Sequence, residues 1–482
     1  MTAVCSLCLL AALASAGCAT NPATGRRQFS LMSEAQEIQI GRQNDAEVRK
    51  EMGVYDDPAL QAYVEQIGLR LARVSDRPNL PWHFTVLDVP AVNAFALPGG
   101  YIYVTRGILA HLDSEAQLAG VLGHEIGHVT ARHGAQRYTR SAGAQLGLVL
   151  GSIFVPQTRP FTELAQSGLG LLFLKYSRGD ELQADQLGAT YEARAGWDPQ
   201  GVPALLATLG RIQEATDSRG VPNWLQTHPQ PVDRVQQIAA TVARIERANP
   251  GRQWTTDRPE YLRRIDGIVY GDNPREGVVR ASEFLHPELQ FALRFPQGWP
   301  ISNGREQVVA KQPGADVYMF LQGVDHPAGV SMAEVAATTM RHAGFTRVTG
   351  GETTIGGLPA YVGTYDGSLQ SVGRVRLRAA DIRSGSRTYL VAGFAPPAAF
   401  GGLADLFDRS IRSFRALTAE EASRIRPNRV RLHRVAPGET WASIAAGAGG
   451  GLVTPAALAI LNGHAVDDPP RPAQEIKIVV AG

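Results

Sequence analysis

The residues in this sequence most suited to chemistry lie in the segment HEIGH, from His124 to His128. In an α-helix, residues i and i+4 lie on the same face, so both imidazoles can reach one metal ion. Zinc accepts imidazole nitrogen, and a catalytic zinc site keeps a position open for water. Glu125 lies beside that face, where it can take a proton from the water. The pattern therefore predicts a hydrolytic site with one Zn²⁺ per chain and Glu125 as its general base.

A chance HExxH on a surface helix is the alternative, and two features of the surrounding sequence oppose it. The same helix carries apolar residues that place it inside a domain: Leu118, Val121, Leu122 and Val129. It also contains three glycines: Gly120, Gly123 and Gly127. A glycine in a helix interior costs roughly 1 kcal/mol relative to alanine, so three of them make sense where something packs or binds against the backbone.

The two histidines need a third protein ligand. All 3 cysteines lie within the first 18 residues, so the ligand must be a histidine or a carboxylate. Glu181 and Asp185 are spaced i, i+4 and share a helix face. One carboxylate can bind the metal while the other hydrogen-bonds a ligand histidine and fixes its tautomer. Such a pair is also common on a solvated helix face, so the spacing alone leaves both interpretations open.

Four motifs occur in an order that resembles a known peptidase family. They are NAFALPGG at 93–100, HEIGH at 124–128, YSRGDELQAD at 176–185, and THP at 227–229 followed by Arg234. In combination, they resemble the family of the heat-shock protease HtpX and the CAAX prenyl proteases. Its soluble periplasmic members are the most similar, and the resemblance extends over about residues 31–248.

The resemblance implies a mostly α zincin-type peptidase domain with a small β-sheet. It also implies that Glu181 is the third zinc ligand and that Asp185 supports a ligand histidine. The segment Gly99 to Val104 would be the edge strand that pairs with an extended protein substrate. The residues expected to bind substrate or lie near the site are Asn93, Gly99, Gly100, Tyr101, Ile102 and Tyr103.

Two further histidines have different interpretations. In relatives, the histidine that corresponds to His228 lies near the metal, where it either assists the transition state as a catalytic residue or occupies the open position as a plug. A loop histidine that caps the last helix of the domain is the alternative. His133 fits no ligand spacing and is predicted to be structural.

Residues 1–18 have the pattern of a signal peptide, with an apolar run too short to span a bilayer as a helix. They end in SAGC, at residues 15–18, which resembles the bacterial lipobox. Cys18 would then carry a lipid that binds the membrane, and Ala19 after it implies the outer membrane. We therefore expect a periplasmic protein tethered to that membrane. Ordinary cleavage after Ala16, which leaves Cys18 unmodified, is the alternative.

The rest of the chain divides into parts by its pattern. We predict a peptidase domain at 19–248, a linker at 249–277, an α+β domain of unknown role at 278–415, a linker at 418–429, and a C-terminal module at 430–482. Two apolar segments, 144–155 and 164–174, are either a helical hairpin over the site or in contact with lipid, or buried core helices.

The C-terminal module, residues 430–482, resembles a LysM domain, a small βααβ fold that binds N-acetylglucosamine of peptidoglycan. HRVAPGETW at 433–441 and LN at 461–462 carry the resemblance. It implies peptidoglycan as a partner, and a spacer domain is the alternative.

The charge balance argues against a nucleic-acid partner, because 47 basic and 45 acidic residues give a net charge of +2 and no long run of either sign. The leading hypothesis is a zinc-dependent metalloendopeptidase of the bacterial envelope that hydrolyses misfolded or misassembled envelope proteins. Two alternatives are an envelope chaperone or assembly factor with a gated, rarely used protease site, and a peptidoglycan-anchored binding protein.

Overall fold

The computed structural model describes residues 18–23, 25, 27–30, 32–139, 176–215, 228, 232–327, 329–369, 372–448 and 450–482. Most of the predicted leader and both apolar segments, 144–155 and 164–174, lie outside these described residues. The chain forms two compact units. The first contains residues 1–270 and 429–481, and the second contains 271–428 and 482.

The first unit is mainly helical. Before the C-terminal module, the helices among its described residues are α1 (Glu34–Met52), α2 (Pro58–Arg73), α3 (Arg106–His111), α4 (Glu115–Thr130), α5 (Arg178–Ala195), α6 (Gly201–Ala215), α7 (Val232–Ala248) and α8 (Arg258–Ile265). The strands in the same described part are β1 (Cys18–Thr20), β2 (Arg27–Phe29), β3 (His83–Leu87), β4 (Ala94–Leu97) and β5 (Tyr101–Thr105). The expectation of a mostly helical part with a small sheet is therefore confirmed for this unit. In the part of the chain that the structure describes, no helix is long and apolar enough to cross a membrane.

Strands β3, β4 and β5 form the small sheet, in the order β3-β5-β4. β5 runs parallel to β3, with Tyr101 opposite His83, and antiparallel to β4, with Tyr101 opposite Leu97. Thus β5 is the central strand, and β4 is an outer strand that packs on α4.

Helices α4 and α5 pack backbone against backbone, and glycine makes this contact possible. A Cβ added at Gly188 of α5 would lie 2.9 Å from the backbone nitrogen of His124. One added at Gly123 would lie 3.1 Å from Cα of Gly188, and one at Gly127 would lie 3.0 Å from the carbonyl oxygen of Ala184. The expectation that something packs against these glycines of the HEIGH helix is confirmed.

The structure differs from the predicted linker at 249–277, because helix α8 lies within it. Tyr261, Leu262 and Ile265 of α8 are buried in the core of the first unit, and the Tyr261 hydroxyl donates a hydrogen bond to the carbonyl of Leu109 at 2.6 Å. The apolar spacing and Pro259 in the first turn were sequence signals for a helix, although the segment is otherwise polar.

The second unit is rich in β-structure. Its strands are β6 (Val278–Arg280), β7 (Glu283–His286), β8 (Phe291–Arg294), β9 (Ile301–Asn303), β10 (Gln307–Lys311), β11 (Tyr318–Val324), β12 (Thr346–Ile355), β13 (Leu358–Leu369), β14 (Gly373–Ser384), β15 (Arg387–Ala395) and β16 (Arg415–Ala416). Its helices are α9 (Met332–His342), α10 (Pro397–Arg412) and α11 (Ala419–Ser423), with a 3₁₀ turn at Pro274–Glu276. Seven strands form one antiparallel sheet, β12-β13-β14-β15-β11-β10-β9, and four form another, β16-β8-β7-β6.

The C-terminal module returns to the first unit. Its elements are β17 (Arg429–Arg434), α12 (Trp441–Ala446), α13 (Pro455–Leu461) and β18 (Glu475–Val480), and the two strands pair antiparallel. Lys477 of β18 is fully buried, and its Nζ donates to the carbonyls of Ala110 at 2.9 Å and Leu112 at 2.6 Å. Asp113 is its ion-pair partner, at 3.1 Å. A buried ammonium needs such partners, so these bonds connect the module to the start of α4.

We predict that Gly188→Ala forces α4 and α5 apart. Overpacking of this kind costs about 1–3 kcal/mol, so both helices should lose protection in hydrogen exchange measured by mass spectrometry. Gly179→Ala is the matched control on α5, because the nearest atom to an added Cβ there is 3.9 Å away. Equal protection in the two variants would show that the helices have room for a side chain at their crossing.

Candidate metal centre

The starts of α4 and α5 set the positions of the candidate ligands. Ser114 caps α4 by accepting a hydrogen bond from the backbone N–H of Gln117 at 3.2 Å. Ser177 and Asp180 form a reciprocal capping box at the start of α5. Glu181 follows Asp180 and therefore lies in the first turn of α5, which packs on α4.

Four side chains converge inside the first unit: His124, His128, Glu181 and His228. Nε2 of His124 lies 3.0 Å from Nε2 of His128 and 3.3 Å from Nδ1 of His228. Oε1 of Glu181 lies 2.9 Å from Nδ1 of His228 and 3.5 Å from Nε2 of His128. All four residues are buried, and their ligand atoms lie within 4.8 Å of one another. The structure thus brings together the three predicted ligands and His228.

This donor set fits one divalent cation of the zinc type. Three imidazoles and one carboxylate are ligands that zinc prefers, and bonds of about 2.0–2.1 Å in a tetrahedron place ligand atoms roughly 3.3 Å apart. The distances in the cluster lie close to this value. The residues present could therefore hold one metal ion.

Asp185 and Arg234 hold the far side of the cluster. Nδ1 of His124 donates to Oδ1 of Asp185 at 2.9 Å, which leaves the lone pair of its Nε2 directed into the cluster. Arg234 forms two bonds to Asp185, at 2.8 and 2.9 Å, and contacts Glu181 at 2.9 Å. Burial opposes ionisation of Asp185, but the bonds from His124 and Arg234 prevail and lower its pKa. The sequence motif included Arg234 without assigning it this role.

His133, predicted to be structural, contacts the cluster through His128. Nε2 of His133 lies 3.0 Å from Oε1 of Gln183, an oxygen that can only accept, so His133 is protonated there. Its Nδ1 then accepts from Nδ1 of His128 at 2.9 Å, and the lone pair of Nε2 of His128 is directed into the cluster. Burial, and then the neighbouring histidines, lower the pKa of His128 well below its usual value, which favours the neutral form that binds metal.

Ring stacking also positions His128. Tyr176 lies on the His128 ring with centroids 3.8 Å apart and planes inclined by 22°. The guanidinium of Arg137 covers the Tyr176 ring at 4.3 Å from its centroid. Sequence reasoning missed this contact, although Tyr176 opens one of the four motifs.

Glu125, the predicted base, is fully buried on α4, and its Oε1 lies 3.7 Å from Nε2 of His228. His228 therefore lies between Glu125 and Glu181. Its neighbours Thr227 and Pro229, the other two residues of the THP motif, lie outside the described residues.

The prediction that Gly99 to Val104 forms an edge strand was wrong. β5 is hydrogen-bonded to β3 on one side and to β4 on the other, so its backbone has no free edge for a substrate. Gly99 and Gly100 form the turn before it, with φ of 83° and 99°. Tyr101, Ile102 and Tyr103 are buried in the core.

Asn93 lies just before β4. Its backbone N–H donates to Oγ1 of Thr105 at 3.1 Å, and its carbonyl accepts from the Thr105 backbone N–H at 3.0 Å. Because Thr105 ends β5 and caps α3, these bonds hold the start of β4 to the end of the central strand.

Comparison with known proteins agrees with this geometry. Residues 58–242 match the profile of the family described as Peptidase family M48. The beta-barrel assembly-enhancing protease of Escherichia coli (strain K12) is 32% identical over 224 residues, which cover 45% of this chain and 46% of that protein. The protein of that name from Yersinia pestis is 31% identical over 350 residues, 67% of this chain and 69% of that protein.

A third relative is mitochondrial metalloendopeptidase OMA1 of Arabidopsis thaliana, which is 35% identical over 198 residues, 40% of this chain and 39% of that protein. The chain spans about half the length of the Escherichia coli relative and about two thirds of the Yersinia pestis relative. All four residues of the candidate metal centre lie within the matched profile. The chain belongs to peptidase family M48.

Proposed function

We propose that the chain is a zinc-dependent metalloendopeptidase of the bacterial envelope. One observation carries the proposal: three buried metal-binding side chains, His124, His128 and Glu181, converge beside the buried carboxylate of Glu125. When bound, zinc supplies a Lewis acid that polarises the scissile carbonyl and acidifies water. Glu125 takes the proton of the attacking water and delivers it to the leaving amine. Asp185 and Arg234 hold His124 in the ligating tautomer throughout.

Substrate recognition is proposed at β4 (Ala94–Leu97), in place of β5. Ala96 and Leu97 line a small cavity together with His128 and Tyr176, so this outer strand passes beside the candidate metal centre. An extended substrate can add to such an edge through main-chain hydrogen bonds. The names of the bacterial relatives refer to β-barrel assembly, so we propose misassembled β-barrel proteins as clients.

His228 is proposed to close the site. A catalytic zinc centre keeps one position open, whereas His228 adds a fourth protein donor to the cluster. The cavity beside β4 measures about 10 Å³, which is room for one water at most. Both observations support the proposal that the site is closed by His228, and they also support the alternative of an assembly factor that rarely cleaves. Opening requires that the His228 ring leave the cluster.

Envelope attachment is proposed from the sequence. The SAGC segment at residues 15–18 favours a lipid on Cys18 and an outer-membrane tether facing the periplasm. The βααβ order of residues 429–480 supports a LysM-like module that binds peptidoglycan.

Replacing Glu125 with glutamine should abolish casein hydrolysis while zinc remains bound, because the amide cannot accept the proton of water. General-base catalysis contributes about 10²–10⁴-fold, and the loss should lie in that range. Glu214→Gln, an exposed glutamate of α6, is the control. Wild-type activity in Glu125→Gln at equal zinc content would exclude Glu125 as the base.

Asp185→Asn should weaken zinc binding by about 10–100-fold, because the amide no longer holds His124 through a charged hydrogen bond. Competition with a chromogenic zinc chelator measures the affinity, and Glu214→Gln again serves as the control. An unchanged affinity would show that His124 keeps its orientation without Asp185.

His228→Ala should raise casein hydrolysis several-fold, because removal of the fourth donor opens a position for water and substrate. His342→Ala, which removes an exposed histidine of the second unit, is the control. Lower activity in His228→Ala at wild-type zinc content would instead assign His228 a part in the transition state.

A further inference from the structure

A second cavity, of about 380 Å³, lies within the first unit, between the C-terminal module and the helices of the peptidase part. Ser114 and Gln117, at the start of α4, line the cavity, and so does Arg211 of α6. His464 and Gln474 line it from the connection between α13 and β18. The volume is in the range of small-molecule sites, and none of the residues that line it belongs to the candidate metal centre.

Two arginines, Arg211 and Arg258, give this cavity its charge. Among the described residues, neither forms a salt bridge, and Nε of Arg211 and Nη2 of Arg258 have no hydrogen-bond acceptor. Nη2 of Arg211 donates to Oγ1 of Thr208 at 3.3 Å. Of the described residues that line the cavity, Asp113 is the one acid, and Lys477 pairs with it at 3.1 Å. The cavity therefore has an excess of positive charge.

The opposite wall is polar and held in place by hydrogen bonds. Nδ1 of His464 donates to Oδ2 of Asp468 at 2.6 Å, so its Nε2 accepts from Nε2 of Gln474 at 3.1 Å. The first turn of α4 adds the positive end of a helix dipole on the peptidase side. Guanidinium groups bind planar oxyanions through paired hydrogen bonds, whereas amide and hydroxyl groups suit sugar hydroxyls.

We infer that this cavity binds a small hydroxyl-rich ligand that carries a carboxylate or a phosphate. Arg211 and Arg258 bind the anionic group, and the module supplies a polar contact from the side-chain amide of Gln474, which His464 holds in place. Because the lining comes from both the module and the peptidase helices, the ligand connects the two parts. The site thus differs from a groove on the module alone, since a neutral sugar has no anionic group to pair with the two arginines.

Isothermal titration calorimetry on the purified full chain tests this inference. Glucose 6-phosphate and glucuronate serve as the phosphate and carboxylate probes, and glucose is the neutral control, each up to about 10 mM. We expect at least one anionic sugar to bind and glucose not to bind. Binding of only one of the two anions identifies which anionic group the site accepts.

Arg211→Gln and Arg258→Gln should each weaken binding by about tenfold or more, because each removes a charge-assisted hydrogen bond. Arg244→Gln is the matched control. Arg244 donates to Thr241 at 3.2 Å, as Arg211 does to Thr208, but does not line the cavity. Thermal unfolding shows whether each variant is folded, and two separate arginine variants keep the test valid if one is not.

The inference is overturned if neither anion binds, if glucose binds as tightly as the anions, or if both arginine variants retain wild-type affinity.

Discussion

The contact between α4 and α5, backbone against backbone at Gly123 and Gly188, is the constraint on which the candidate metal centre depends. HEIGH supplies two histidines on one helix, but a third ligand must come from another segment. Helices with larger side chains at the crossing would lie farther apart, because helix axes separate with the size of the contact residues. At this short separation, the carboxylate of Glu181 reaches the same point as the two imidazoles.

Burial makes the charge of the cluster as important as its geometry. Glu125, Glu181 and Asp185 are fully buried, and Arg234 is the guanidinium that contacts two of them. One such group cannot balance three carboxylates, and unbalanced buried charge is costly. Arg137 adds positive charge beyond Tyr176, where its guanidinium covers the ring. A divalent cation at the ligand atoms would neutralise the remainder, which explains why these acids can stay inside the first unit.

The sequence predicts what depends on local spacing and misses what depends on pairing in space. HEIGH at 124–128 predicts two ligands on one helix face because helix periodicity places them there. The roles of Glu181 and Asp185 came from the resemblance to a peptidase family, since their spacing alone also fits a solvated helix face. The contact between His133 and His128 was missed because the chain leaves α4 through Arg132, at φ 60°, and this break turns the next residue back toward His128. β5 was misplaced because the order of three strands depends on a parallel pairing that no local pattern encodes. The family could be predicted from the sequence because each of its four motifs is a short continuous segment.

The central claim is that His124, His128, Glu181 and His228 bind one metal ion. Zinc K-edge X-ray absorption of the purified full chain tests it most directly. The geometry predicts one zinc per chain, with three imidazole nitrogens and one carboxylate oxygen at about 2.0–2.1 Å. A sulfur ligand, a shell of six oxygens, or a chain that retains no zinc would contradict the account.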